Sequence, residues 1–308
     1  MSSDHAPEVP AISIRSISKR FGRLTAVNDL TLEVTRGEIF GFLGLNGAGK
    51  TTTIRMLLDL LRPDGGEAFI MGRNCRRQGL EARSLVGYLP GELGLYGDMS
   101  GRQLLDLFAG LGVREIKQGY LAELLQRLEL PASDLRRKLR EYSTGMKRKL
   151  GLIQAFQADP PLLILDEPTE GLDPLMQESF YRLLFDVRRR GCTVFMSSHV
   201  LSEVERVCDR IGLIRKGRLV LLSAVDEIRK LAARTVRVIF DADVATAPGP
   251  LPEGYEVLDS APREWMVRVH GPIGKLLQSL PGLPVRDLEV TEPRLEEILI
   301  RYFREEDR

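Results

Sequence analysis

The stretch Gly44–Thr52, GLNGAGKTT, constrains this chain more than any other. It follows the apolar run EIFGFL and leads into TTTIRMLLDLL, a segment with apolar residues at helical spacing. Gly44, Gly49, Lys50 and Thr51 meet the pattern G-x-x-x-x-G-K-[ST]. Two structures can use such a stretch: a packed turn between a strand and a helix, or a cradle for phosphate. Glycines let several backbone N–H groups point inward. The helix that opens there adds its positive N-terminal end. Lys50 can then reach the β- and γ-phosphates of a nucleoside triphosphate, and the Thr51 hydroxyl can ligate Mg²⁺. Leu45, Asn46, Gly47, Ala48 and Thr52 complete the candidate loop. Kinases, GTPases, helicases and transport ATPases all share this motif, so the rest of the chain must choose among them.

The bulk properties narrow the choice. With 308 residues the chain is long enough for one large domain, or a large and a small one. Its 43% hydrophobic residues and mean hydropathy of −0.11 allow a sizeable core and predict a soluble protein. A net charge of +1 gives no global pull toward nucleic acid or an anionic bilayer. No apolar run approaches the roughly 18–20 residues that cross a membrane. The first 11 residues, beginning MSSDHAPEVP, read as a flexible polar tail without the apolar centre of a signal peptide, so the expected location is the cytoplasm. Cys75, Cys192 and Cys208 are far apart and form no C-x-x-C pair, which predicts reduced thiols.

Along the chain, AISIRSISKRF carries Ile12, Ile14 and Ile17 among polar residues, as a half-buried strand would. LTLEV, EIFGFLG, EAFIMG and LVGYLP read as further strands. Between about 98 and 142 the pattern turns helical, in RQLLDLFAGL and YLAELLQRLEL, which predicts a helical insert within an α/β core. LLILDEP is a short buried strand. PLMQESFYRLLFDVRRRG is a helix with Asp173 as its cap, Pro174 at its first position and Gly191 as its stop. CTVFMSSH is the next strand, followed by the helix VLSEVERVC and a hairpin turning at Lys216–Gly217. Strands alternating with helices predict a parallel sheet with crossovers. After residue 230 the segments TVRVIFDADV, YEVLD and EWMVRVH alternate like strands, with IGKLLQSL and PRLEEILIRYF as helices and ATAPGPLPEG as a loop. Residues 230–308 therefore read as a small α+β appendage to a main domain over 12–229.

LLILDEPTEGLDP supplies the second constraint. Four apolar residues run straight into Asp166 and Glu167, and burying uncompensated charge is costly. A buried strand ending in two acids suits a site with a cation or a catalytic water. Asp166 is placed to hold Mg²⁺ opposite Thr51. Glu167, on the other side of the strand, can polarise a water for attack on a γ-phosphate. Two solvated acids at a strand end are the alternative.

With these residues in view the sequence resembles the nucleotide-binding subunits of ABC transporters. YSTGMKRKL, Tyr142 to Leu150, resembles the family's signature loop, usually written L-S-G-G-Q. Ser143 and Gly145 keep the matching places, whereas Thr144 and Met146 depart toward the S-x-G-M form of the drug- and polysaccharide-export branch. The matches span about residues 12–225 in the family's order. The resemblance implies a P-loop NTPase fold of α/β class with a helical subdomain, here with a small C-terminal α+β domain. It implies ATP and Mg²⁺ as cofactors. It implies a homodimer in which Ser143 and Gly145 of one copy grip the γ-phosphate held by the loop of the other. His199 matches the family's switch histidine, Asp173 the loop crossing the dimer interface, and Phe21 the ring stacked on adenine. Structural roles are the alternatives: a strand-end histidine, a helix cap and a core phenylalanine. Where the family usually carries a metal-facing glutamine, GYLPGELGLY has Gly91, and Glu92 is the expected substitute.

The implied function is ATP hydrolysis that energises export through separate membrane-spanning permease subunits, with this chain peripheral on the cytoplasmic face of the membrane and no nucleic acid expected. The rival is a soluble ABC ATPase acting on ribosomes or DNA, but such relatives carry two ATPase modules or long coiled coils. A nucleotide kinase would have no use for the signature loop. The appendage resembles the extension of the drug-export branch, with regulation, dimer contact and simple stabilisation all open. The cargo is not encoded here, because it touches the membrane subunit.

Overall fold

The computed structural model describes residues 9–94, 97–112, 114–231, 233–244 and 254–291. His5, the helix expected in PRLEEILIRYF and nearly all of the ATAPGPLPEG loop lie outside the described residues. The chain divides into two compact units, Met1–Leu222 and Ser223–Arg308; the sequence reading draws its line at 229/230.

In the first unit, β1 (Ile12–Phe21) pairs antiparallel with β2 (Leu24–Val34). Ile12, Ile14 and Ile17 are all fully buried, although a step from 14 to 17 breaks the two-residue period of a strand. A bulge resolves the conflict. The register shifts between Ile14 and Ile17 and Ser16 takes φ 51°, which returns Ile17 to the inner face. Next come β3 (Ile39–Leu43), with every residue buried, and α1 (Lys50–Leu57). β4 (Gly65–Ile70) and the short β5 (Arg73–Asn74) complete a four-stranded sheet in the order β2-β1-β4-β5. After α2 (Gly79–Arg83), β6 (Val86–Leu89) enters a second sheet.

The expected insert follows as α3 (Gly101–Leu111), α4 (Gln118–Arg127) and two 3₁₀ turns, Asp134–Arg136 and Leu139–Glu141. Ser100 and Gln103 form a reciprocal capping box that starts α3. The chain returns through α5 (Thr144–Phe156) to β7 (Leu162–Asp166), α6 (Pro174–Arg189), β8 (Thr193–Ser198), α7 (Leu201–Val207), β9 (Arg210–Arg215) and β10 (Arg218–Ala224). Arg127 of α4 pairs with Asp186 of α6, joining insert to core.

The second sheet has the order β10-β9-β3-β8-β7-β6, and β9, β3, β8, β7 and β6 run parallel. Every residue of β3, β7 and β8 is buried, as expected when both faces are covered. Phe40 and Phe42 pack on Phe195 with ring centroids 5.7 and 5.4 Å apart, tying β3 to β8. Each such burial contributes about 1.5–3 kcal/mol. Lys216 (φ 48°) and Gly217 (φ 78°) make the β9–β10 turn, and two successive positive φ values are what a tight hairpin demands.

The second unit begins with α8 (Val225–Leu231) and β11 (Arg234–Phe240), then β12 (Tyr255–Ala261), β13 (Glu264–Val269), α9 (Gly274–Leu277) and β14 (Val285–Thr291). Its sheet order is β12-β13-β11-β14, all antiparallel. Val236, Val238, Phe240, Trp265, Val267 and Val269 form its core, with Phe240 edge-on to Trp265 at 4.7 Å. The sequence reading does not identify β14, because its seven residues VRDLEVT are largely exposed and three are charged.

Candidate active site

The phosphate loop lies between the end of β3 and the start of α1, at the carboxyl edge of the parallel sheet where ligands of such sheets sit. The Gly44 N–H donates to Ser198 O at 3.3 Å, which joins the ends of β3 and β8. A Cβ at Gly44 would lie 2.5 Å from Ile214 O. Gly49 caps α1 at φ 113°, and a Cβ there would lie 2.5 Å from Ala26 O, so both positions require glycine. Leu45, Asn46 and Gly47 are exposed, Ala48 is buried, and Thr51 and Thr52 are partly exposed in the first turn of the helix.

Lys50 is 5% exposed. Its Nζ donates to Gly44 O at 2.5 Å and stands 3.1 Å from Glu167 Oε1. The Lys50 contact is charge to charge, since Oε1 has no aligned hydrogen bond among the described residues. Glu167 Oε2 lies 2.8 Å from His199 Nδ1, and an ionised carboxylate there can only accept, which puts the proton on Nδ1. Lys50, Glu167 and His199 are thus brought together in one chain of contacts.

Asp166, 1% exposed, ends β7. Its Oδ1 accepts from Ser197 Oγ at 2.5 Å, whereas its buried Oδ2 has no hydrogen-bond partner among the described residues. An orphaned buried carboxylate oxygen is costly and suits a cation, directly or through water. Among the described residues no group of three or more His, Cys, Asp or Glu is placed to hold a metal ion by itself. A Mg²⁺ ion at a nucleotide takes most of its ligands from phosphate and water, so one hydroxyl and one carboxylate fit it.

Glu92 is the residue expected from the sequence to face the metal. Its side chain is exposed and makes no hydrogen bond or ion pair to Thr51 or Asp166. Gly91 instead abuts the acid, where a Cβ would fall 3.3 Å from Asp166 Oδ2. Phe21 is 49% exposed at the end of β1, beside Lys19 Nζ at 5.7 Å from the ring centre. It is a surface ring, not part of the core.

Ser143 caps α5, its Oγ accepting from Met146 N at 3.2 Å, and Asp173 caps α6 by accepting from Met176 N at 3.0 Å. The two segments lie side by side, since a Cβ at Gly145 would come within 3.4 Å of Gly171 O.

Two residues escaped the sequence reading. Ser197 bridges the acids, donating to Asp166 Oδ1 and accepting from Glu167 N at 3.1 Å. Arg148, 3% exposed, donates to Pro90 O (3.0 Å), Gly91 O (3.1 Å), Asp166 O (3.0 Å) and Pro168 O (3.1 Å), and also to Glu167 O. Burial pulls its pKa below the ordinary arginine range, opposed by Glu170, Asp166 and Glu167. Its local pattern gives no signal: Arg148 stands four and seven residues before the buried Leu152 and Ala155, as Lys149 stands before the buried Ile153 and Phe156.

This constellation of glycine cradle, buried lysine and paired acids at a parallel sheet edge is that of a P-loop nucleotide triphosphatase. A family model described as ABC transporter matches residues 27–170. The bacitracin transport ATP-binding protein BcrA of Bacillus licheniformis is 32% identical over 300 residues, covering 95% of this chain and 97% of its own. An uncharacterized ABC transporter ATP-binding protein of Nostoc sp. is 38% identical over 209 residues, which is 67% of this chain but 62% of that longer protein. A solved ATP-binding subunit of an ABC transporter superposes with a TM-score of 0.66 at 29% identity, covering 71% of this chain and 92% of that one. The chain belongs to the ATP-binding subunits of ABC transporters, and is an ATPase.

Proposed function

We propose that this chain energises drug export, as one half of a homodimer docked on the cytoplasmic side of separate membrane-spanning permease subunits. The convergence of Lys50 and His199 on Glu167 carries the reading, because it singles out one carboxylate for work on a water molecule. The phosphate loop from Gly44 to Thr52 holds the triphosphate, and Phe21 stacks on the adenine. Thr51 and Asp166 hold Mg²⁺, which neutralises charge on the β- and γ-phosphate oxygens when bound. Glu167 accepts a proton from the attacking water while His199 fixes the orientation of its carboxylate.

Two features support the dimer. Thr144 and Gly145, next to Ser143, lie against Gly171, so signature and interface loop form one continuous patch for a second copy. The N-terminal end of the 13-residue α5 also favours an anion. Export of a drug is supported by the match to a bacitracin transport protein over nearly its whole length. Placement at a membrane surface is consistent with the described residues, among which no helix is long and apolar enough to cross one.

Light scattering on the purified Glu167→Gln protein tests the reading. A dimer is expected with Mg·ATP and a monomer without it. A strict monomer in both conditions, with and without the membrane subunit, overturns it. Reconstitution with that subunit and a labelled peptide antibiotic then tests the cargo class.

A further inference from the structure

Glu167 stands in a conformation that a non-glycine residue seldom takes. Its φ is 49°, in the left-handed region that disfavours residues with a Cβ. Such backbone persists where its surroundings hold it. Both peptide groups of Glu167 are held: its N–H donates to Ser197 Oγ at 3.1 Å, and its carbonyl accepts from Arg148 Nη2. The same guanidinium also grips Asp166 O and Pro168 O on either side, and Pro90 O and Gly91 O in the segment that abuts Asp166. No lysine could do this, since an ammonium offers three donors at one point and a guanidinium offers five in a plane.

The helix that carries Arg148 touches these segments elsewhere too. A Cβ at Gly151 would meet Leu93 at 2.9 Å and Leu89 at 2.9 Å, so α5 sits closely on the same segment Arg148 holds. Ser143, five residues before Arg148, caps that helix.

We propose that Arg148 is a positioning residue for hydrolysis: it locks the backbone of Glu167 in its left-handed turn and couples the Ser143 end of α5 to the Gly91 segment and the hydrolytic carboxylate. This rests on Glu167 being that carboxylate. Arg148 is buried and donates to backbone carbonyls, so its influence passes through the carbonyls it holds. A displacement of α5 at its Ser143 end is therefore carried to Glu167 through a single side chain.

The test uses the full chain with Arg148→Lys and Arg148→Gln. Steady-state ATPase assays should show kcat reduced about 10–100-fold, the cost of misplacing a catalytic group by an ångström or less. KM and the affinity for a fluorescent ATP analogue should stay within about threefold, since the phosphate loop is untouched. In the Glu167→Gln background, adding Arg148→Lys should change the single-turnover rate less than about threefold, because the group it positions is gone. A kcat of Arg148→Lys equal to wild type overturns the proposal. So does a rise in KM at constant kcat, or an equal loss in both backgrounds. Should Arg148→Gln fail to fold, Arg148→Lys keeps the buried cation and carries the test. Near-normal hydrolysis by Glu167→Gln alone would instead sink the assignment of the carboxylate, whatever Arg148 does.

Discussion

Glu167→Gln makes two demands on the site that point in opposite directions. The substitution keeps shape and removes one charge. Loss of the base should cost about 10²–10⁴ in turnover, the usual worth of positioned proton transfer. Yet the same charge stands 3.1 Å from Lys50 Nζ, with side-chain exposures of 16% and 5%. A γ-phosphate arriving at the loop competes for that lysine. Removing one partner of a buried ion pair is worth about 3–5 kcal/mol, and the amide oxygen of glutamine retains part of it. Relief of roughly 1.4 kcal/mol in the nucleotide-free protein corresponds to a tenfold gain in ATP affinity. Fluorescence titration at fixed Mg²⁺, below the concentration at which dimers form, reads the affinity; rapid-quench single turnover reads the chemistry. Tighter binding with near-silent hydrolysis is the expected pair. Affinity equal to or weaker than wild type would refute the competition for Lys50, and a rate within threefold of wild type would refute Glu167 as base.

Lys50→Ala should weaken nucleotide binding at least tenfold by the same titration, with the fold intact by circular dichroism. Ser143→Ala should cost about 1 kcal/mol of stability through the lost cap of α5, and should lower ATPase activity more than that loss explains if the cap also meets a partner's nucleotide. Burial raises the thiols of Cys75 and Cys192 to about 12 and that of Cys208 well above its ordinary value, so a disulfide-exchange reagent at pH 8 should label the native protein slowly and all three cysteines after unfolding. Hydrogen bonds from Arg127 and then Arg189 hold the Asp186 carboxyl below its ordinary 3.8. A lowered folded-state value stabilises above the unfolded pKa and fades as pH falls through the folded one. Asp186→Asn should thus destabilise the protein at pH 6 by about 0.5–1 kcal/mol, with the deficit shrinking as pH falls below 3.8, by scanning calorimetry.

The parts of this protein legible in the sequence are those where spacing and residue type say the same thing. The loop from Gly44 to Thr52 needs glycine at 44 and 49 for steric reasons that leave a literal trace in the chain. Asp173 and Pro174 announce α6 by the chemistry of a helix start. Long-range partnerships leave no such trace. Nothing local distinguishes Arg148 from its lysine neighbours as the holder of five carbonyls, because its acceptors are backbone atoms 18 to 58 residues away. Ser197 likewise looks like any strand serine until β7 is paired beside β8. At the place of the missing glutamine the sequence offers only residue types: Gly91 is the position that abuts Asp166, and the neighbouring Glu92 is exposed.

The β9–β10 turn gives the phosphate loop a dependence on synthesis order. Gly217 N–H donates to Ala48 O, and its carbonyl accepts from Asn28 N–H, so a hairpin made some 170 residues later braces the loop from behind. A Cβ at Gly217 would lie 2.7 Å from Ala26 O, which leaves that brace no slack. A nascent chain emerging from the ribosome must expose nearly the whole first unit before its nucleotide cradle is complete. A loop near the start of the chain is thus completed only by the hairpin that closes the first unit.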